Sequence, residues 1–563
     1  MRALVLPVCL ALLLTSTAMH AASFDSQVDD FFSNAYFRFS PTSGTQAGLH
    51  QYDAELEDYS HAVMVDEQIA ALRKYQAEFE KIDPAGLPQY ARGDRQMILN
   101  YILATLHGLE KVRFWEKNPD IYSSGITQSA FTIMSRKFAP PADRLRSLIA
   151  REKQMPRVFA AARANVKNPP KVYVEVAIEQ MPGNISFFEK DVPAAFAAVT
   201  DDGLLAEFRA TNSTVIQALK EYQKWLEADL LPRAQGDFRL GTENYRKKLL
   251  YEEMVDTPLD KLLEIGYEDL RRNQRAFREV AAKIDPNKTP QQILDDAEKD
   301  HPQAGKLLDA FRDVLGGLRQ FIEQHNIVTI PSQVMPIVQE TPPFMRALTT
   351  ASMDTPGAYE KVAKEAFFNV TLPEAKWTPA QVEEHLEMFN RGTIISTAVH
   401  EAFPGHYTQF LWIQRMPSKT RKLLVANSNA EGWAHYTEQM MLDEGYANGD
   451  LKLRLGQLQD ALLRDARYIV GIQLHTGNMT MEQGADFFVK EGMQVRALGE
   501  RETKRGTADP TYLYYTLGKL EILKLRQDYK KPLQQFHDDF MKQGGAPIKI
   551  VRQALLGNDS SVL

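Results

Sequence analysis

Residues 400–406 read HEAFPGH, placing two imidazoles and a carboxylate where a metal-dependent hydrolase would need them. In the usual H-E-x-x-H helix the histidines are four residues apart, about 40° around the axis, and share a face. His400 and His406 are six apart, about 240° around a regular helix, so an unbroken helix would point them in different directions. Pro404 and Gly405 occupy the gap. Proline lacks the amide that would bond to the carbonyl of His400 and its ring crowds that carbonyl, while glycine permits the turn that follows. A bulge of two residues is the expected result, returning His406 to the face of His400. The competing reading is a pair of histidines flanking an ordinary helix break.

A catalytic zinc site takes three protein ligands and keeps one position open, and His/His/Glu is one known set. Twenty-five residues after His406 comes EGWAHYTE, 431–438, with Glu431, His435 and Glu438 at i, i+4 and i+7, on one helical face. Glu431 is the expected third ligand and His435 competes for that place. Glu438 is expected to orient a ligand histidine from outside the coordination sphere. The alternative is a solvated acidic face, against which stand the flanking Trp433, Tyr436, Met440 and Met441.

HEAFPGHYTQ, EGWAHYTE and, at 515–526, YTLGKLEILKLR resemble the bacterial family catalogued as domain of unknown function 885. Its pattern is H-E-x-x-P-G-H, then E-G-W-A-x-Y-x-E, then Y-x-x-G. The resemblance spans most of the chain, with its specific motifs in 340–530. It implies a zinc metallopeptidase with an extended HExxPGH motif, similar in helical architecture to the thimet-oligopeptidase and peptidyl-dipeptidase group. Residue by residue, it assigns His400 and His406 to the metal, Glu401 to the catalytic glutamate, Glu431 to the downstream acid and Tyr515 to the tyrosine three before Gly518. His475, in RYIVGIQLHTGNMT, is similar to a family histidine that precedes T-G. This chain has Val470 and Gly471 where the family often has Asp, so no supporting carboxylate for His475 follows. His435 stands at a position commonly apolar in the motif.

The chemistry implied is hydrolysis of a peptide bond with one Zn2+ per chain. Zinc on His400, His406 and Glu431 would acidify a water, and Glu401 would take its proton and pass it to the leaving amine. Preorganised donors would share the oxyanion's charge. Tyr515 and His475 are the candidates, although Tyr512 and Tyr514 are equally available beside Tyr515. Arg346, Arg467 and Arg526 are candidate clamps for the substrate backbone or its carboxylate. FFNVTLP, 367–373, would suit pairing with an extended peptide by edge addition. A non-catalytic helical periplasmic peptide-binding or cell-envelope protein with a structural metal site is the alternative. A structural site, however, has no use for a base such as Glu401 and closes the fourth position. An amide in a peptidoglycan stem peptide is a further possible substrate.

These residues belong to a chain of 563 residues, 44% hydrophobic, with net charge −7. That is ample for a large core, and nothing is basic enough to favour nucleic acid or an anionic membrane. Met1-Arg2 followed by ALVLPVCLALLLTSTA reads as a cleaved signal peptide over 1–21, too short for an anchor. Cys9 is the only cysteine. It follows Val8 inside the apolar run, so lipidation is not expected. A mature chain without cysteine has neither disulfides nor thiolate ligands. A periplasmic or secreted protein with no membrane anchor is expected; oligomeric state is not legible.

Most of the chain reads as helix. Val215, Leu219, Tyr222 and Leu226 form one apolar stripe, and Ile69, Leu72, Phe79 and Ile82 another. Thr257-Pro258, Thr289-Pro290 and Thr378-Pro379 share a helix-start signature. NIVTIPSQVMPIV (326–338) and AFFNVTLP (366–373) read as extended. The expected fold is mainly α, a large helical metallopeptidase-like fold around a deep cleft with a small β-sheet near the active site. A soft boundary near 235–240 would separate a helical part, 22–240, from a catalytic part, 241–563.

Overall fold

The computed structural model describes residues 23–563 other than 343, 344, 347 and 348; the expected signal peptide over 1–21 lies outside the described residues. The chain is mainly α, with one small sheet among the described residues. Among the described residues no helix is long and apolar enough to cross a membrane.

The apolar stripes fold as their spacing dictates. Val215, Leu219 and Tyr222 are buried along the helix Asp202–Trp225, and Leu226 is buried just beyond it. The helix Ile69–Glu80 buries Leu72, Tyr75 and Phe79. Each such side chain contributes about 1.5–3 kcal/mol of transfer free energy. One hydrophobic core is built almost wholly from residues 56–234. A second joins Phe24–Trp115 to residues 307–551. The second core therefore runs across position 240, and the first helices are packing partners of the C-terminal part.

Thr289 and Thr378 form reciprocal capping boxes with Gln292 and Gln381. The third signature does not: α1 (Leu259–Ile284) begins after Pro258, so Thr257 lies outside the cap. The expected extended segments shrink to β1 (Ile337–Glu340) and β3 (Phe367–Val370), and β2 (Ala351–Asp354) joins them. The order is β1-β3-β2, with β1 parallel and β2 antiparallel to β3. FFNVTLP thus supplies the central strand, hydrogen-bonded on both sides, and cannot receive a peptide by edge addition. The free edges belong to β1 and β2.

Around the motifs run α2 (Arg391–Glu401), α3 (His406–Ile413), α4 (Asn427–Asp443), α5 (Leu451–Thr476), α6 (Arg496–Ala508) and α7 (Tyr514–Tyr529). The glycines of E-G-W-A and Y-x-x-G meet where α4 crosses α7. A Cβ on Gly518 would lie 1.9 Å from the carbonyl oxygen of Ser428, and one on Gly432 would lie 2.5 Å from the Cα of Gly518. Only paired glycines allow so close a crossing. It brings Glu431 and Tyr515, each within one turn of its glycine, to the same end of the crossing.

Candidate metal centre

α2 is capped by Asn390, whose side-chain oxygen accepts from the amides of Gly392 and Thr393. It ends at Glu401, and α3 begins at His406. The expected two-residue bulge is instead a full break and restart. The freed amides stay paired: Phe403 N–H donates to Ala398 O (3.2 Å) and Gly405 N–H to Val399 O (3.0 Å). A Cβ at Gly405 would sit 1.8 Å from the carbonyl oxygen of His400, so the reversal needs glycine there. Trp433 of the second motif donates its indole N–H to Pro404 O (2.8 Å), tying the break to α4.

The break brings the two imidazoles together, with ring centroids 4.8 Å apart and planes nearly perpendicular. His400 Nε2 lies 3.2 Å, and His406 Nε2 3.3 Å, from the same Glu431 oxygen, Oε2. The potential ligand atoms of all three residues fall within 4.8 Å of one another. A tetrahedron with bonds of about 2.1 Å has edges of about 3.4 Å; the two nitrogen–oxygen distances match that edge, while a spread of 4.8 Å is wider, so the three groups would draw closer together around one zinc-sized ion. All three expected ligands are thus brought together. His435 is not among them.

Glu438 stands behind His400, as expected. Its carboxylate accepts from His400 Nδ1 (2.7 Å), Arg464 Nη2 (2.9 Å) and His435 Nδ1 (3.1 Å). The bond to Nδ1 fixes the ring of His400 and leaves Nε2 facing Glu431. Burial would raise the carboxyl pKa of Glu438, but Arg464 and the two histidines hold it well below the usual range. His435 is fully buried; burial, reinforced by the Lys519 ammonium, pushes it down to about 3. It is a neutral donor to Glu438. His400 goes the other way: its hydrogen bonds to Glu431 and Glu438 outweigh burial and raise it to about 9. Glu431 is held well below the carboxylate range, against burial, by His406 and His400.

Glu401 follows directly after His400 and lies close enough to His406, His400 and Glu431 to feel their charges. Burial raises its carboxyl pKa against the two histidines and the nearby backbone of Met353 in β2. The small sheet therefore does lie beside the cluster. Among the three tyrosines, Tyr515 is the one at the site. Its ring stacks 6.2 Å from that of His400, and its hydroxyl accepts from Arg505 Nη2 (3.3 Å). Burial and the Glu431 carboxylate raise its pKa, so it stays a protonated donor. Tyr514 bonds to Asp509 (2.8 Å), and Tyr512 packs against Gly471 and Gly506.

The remaining candidates are placed elsewhere. His475 lies at the end of α5, eleven residues beyond Arg464, or about 16 Å along the helix. Its Nε2–H donates to Gly506 O (2.8 Å), and its ring meets Phe238 and Tyr245. Arg346 pairs with Glu340 (2.6 Å). Arg526 holds Glu444 and the hydroxyl of Tyr436, each at 3.0 Å. Arg467 does approach the ring of Tyr515, at 5.1 Å, but its guanidinium is bound at both ends by Glu502 (2.7 and 2.9 Å). A surface cavity of about 430 Å³, lined by Arg272, Tyr446 and Arg454 among others, contains none of the cluster's residues. Arg464, Arg505 and Met353 were not singled out by the sequence; none lies in a motif, and only the helix crossings bring them in.

Mainly α with a two-histidine, one-glutamate cluster across a helix break, the protein belongs to the family described as bacterial protein of unknown function DUF885, which matches residues 41–555. Its fold is shared with a protein from Shewanella oneidensis described as a putative lipoprotein of unknown function. That likeness has a TM-score of 0.78 and 28% identity, and covers 95% of this chain and 99% of the other. A protein from Colwellia psychrerythraea, described as a putative lipoprotein, superposes with a TM-score of 0.80 at 17% identity, covering 96% and 99%. No curated protein matches the chain.

Proposed function

We propose that this chain is an exported zinc-dependent metallopeptidase that hydrolyses peptide bonds of oligopeptides. The observation that carries this reading is the convergence of His400, His406 and Glu431 on one small volume, with Glu401 beside it and the hydroxyl-bearing ring of Tyr515 stacked over it. A divalent ion held there would act as a Lewis acid toward water and the scissile carbonyl. Glu401, its pKa raised by burial, takes the proton of the attacking water and returns it to the leaving nitrogen. Tyr515 accepts a hydrogen bond from Arg505, which leaves its own O–H to donate to the developing oxyanion. β2 is an edge strand of the sheet, and the backbone of its Met353 lies near Glu401. An extended substrate laid along that edge would present its backbone to the site.

Export rests on the apolar N-terminal run ending in small residues and on the words used for the two solved relatives. The alternative, a peptide-binding or cell-envelope protein with a structural metal, fits less well. Glu431 keeps 24% of its side chain exposed, as a site open to a fourth ligand requires. The test is zinc content of the purified chain together with mass spectrometry of a mixed peptide library, with Glu401→Gln as control. About one zinc per chain and cleavage that disappears in the control are expected. Protein that takes up no zinc, or cleavage that survives in the control, would refute the reading.

A further inference from the structure

Three guanidiniums surround the ring of Tyr515: Arg464 at 5.7 Å, Arg467 at 5.1 Å and Arg505 at 5.9 Å. Two are committed to structure. Arg464 holds Glu438 (2.9 Å) and lies 3.7 Å from Asp460, and Arg467 is gripped twice by Glu502. Their side chains are 11% and 10% exposed. Arg505 differs. Its side chain is 38% exposed, and its hydrogen bonds to other residues all run through Nη2, to Tyr515 and to a single oxygen of Asp509 at 3.2 Å. That same Asp509 oxygen is shared with the hydroxyl of Tyr514. Among the described residues, Nε and Nη1 of Arg505 have no protein acceptor, so the planar fork that suits a carboxylate is half unused.

We propose that Arg505 anchors the free C-terminal carboxylate of the peptide substrate, making the enzyme one that trims peptides near their C-terminus. This rests on the metallopeptidase reading above and names its substrate class. The reach follows from the geometry. The guanidinium of Arg505 lies 5.9 Å and the ring of His400 6.2 Å from the ring of Tyr515, so the two are at most roughly 12 Å apart, and an extended residue spans about 3.3–3.6 Å. In an extended substrate a carboxylate on Arg505 therefore lies within about three residues of the bond being cut. Arg467 is gripped at both ends by Glu502, and Arg346 and Arg526, paired with Glu340 and Glu444, are not among the guanidiniums at the ring of Tyr515.

The experiment compares mixed-sequence tetrapeptides to decapeptides, as free acids and as C-terminal amides, with the zinc-loaded full chain. Cleavage one to three residues from the C-terminus is expected at every length. Amidation is expected to lower kcat/KM roughly 10- to 100-fold, the worth of a charge-assisted bond. In Arg505→Gln the acid-over-amide ratio should collapse toward one, beyond any loss shared by acids and amides through the hydrogen bond to Tyr515, and Arg505→Lys should recover part of the preference. Internal cleavage indifferent to the terminus would overturn the proposal, as would equal losses on acids and amides. A second measurement needs no turnover: calorimetric binding of a tripeptide acid library and its amides to the metal-free chain, wild type and Arg505→Gln, with thermal melts to confirm folding. Tighter binding of the acids that is lost in Arg505→Gln supports the anchor, and no acid preference sinks it. Absence of all cleavage with the acid preference intact would sink the metallopeptidase reading alone.

Discussion

His400 and His475 are both buried and both hydrogen-bonded, and they sit near opposite ends of the same stretch of α5, one against Arg464 and one eleven residues further along. Their chemistry diverges. His400 faces two carboxylates and is raised to about 9. His475 faces a backbone carbonyl between aromatic rings, and burial lowers it to about 4. An imidazole becomes a metal ligand through the anions that converge on it, and it becomes a core residue through their absence. His435 sharpens the contrast: it touches Glu438, yet Arg464 and Lys519 claim that neighbourhood for positive charge, and it stays neutral.

The largest effect that could break this comparison lies at Glu401. Glu401→Gln should lower kcat by about 10²–10⁴-fold, the typical worth of a positioned base, while zinc content stays at wild-type level. His475→Asn should leave kcat within about twofold. Equal losses in the two variants, read by initial rates on a fluorogenic peptide, would erase the distinction between the regions.

The pH dependence comes next. The low pKa of His475 means that the unfolded chain binds the extra proton first. Its contribution is complete above the unfolded value of about 6.5 and is lost as pH falls toward 4, amounting to roughly 3 kcal/mol. The raised pKa of His400 has the opposite sign in the metal-free protein. Its contribution is present below about 6.5 and is lost as pH rises through about 9. Zinc bound by His400 would displace that proton, so on the proposed reading affinity should climb about tenfold per pH unit between 7 and 9. Urea melts and chelator competition across pH check the two flanks. A flat affinity profile would contradict the account of His400.

Glu438→Gln should weaken zinc binding about 10- to 100-fold, as loss of an orienting carboxylate does, whereas His475→Asn should not move it. The smallest effect is expected at Arg526, which bridges Glu444 with 35% of its side chain exposed. Arg526→Gln should cost less than about 1 kcal/mol of stability and leave peptide hydrolysis unchanged, by thermal melt and rate assay.

What the sequence shows of this site is uneven for physical reasons. Pro404 and Gly405 announced a departure from helix because their effects are local, though not its form: the amides of Phe403 and Gly405 find carbonyls of the preceding turn, and a new helix starts at once. The paired motifs carry their own spacing, so Glu431 and Glu438 were legible. Arg505 and Arg464 were not, since a lone arginine on a helix looks the same whether it faces water or Tyr515. β2, ASMD, has no β-branched run and pairs only because β3 offers an edge. Thr257 carried a cap signature but lies outside the helix that Pro258 begins.

The most direct test is a zinc titration of the metal-free chain by calorimetry, alongside His406→Ala and His475→Ala. One tight site per chain, abolished by His406→Ala and retained by His475→Ala, is the predicted result. A chain that binds no zinc, or whose binding is untouched by His406→Ala, would contradict the account.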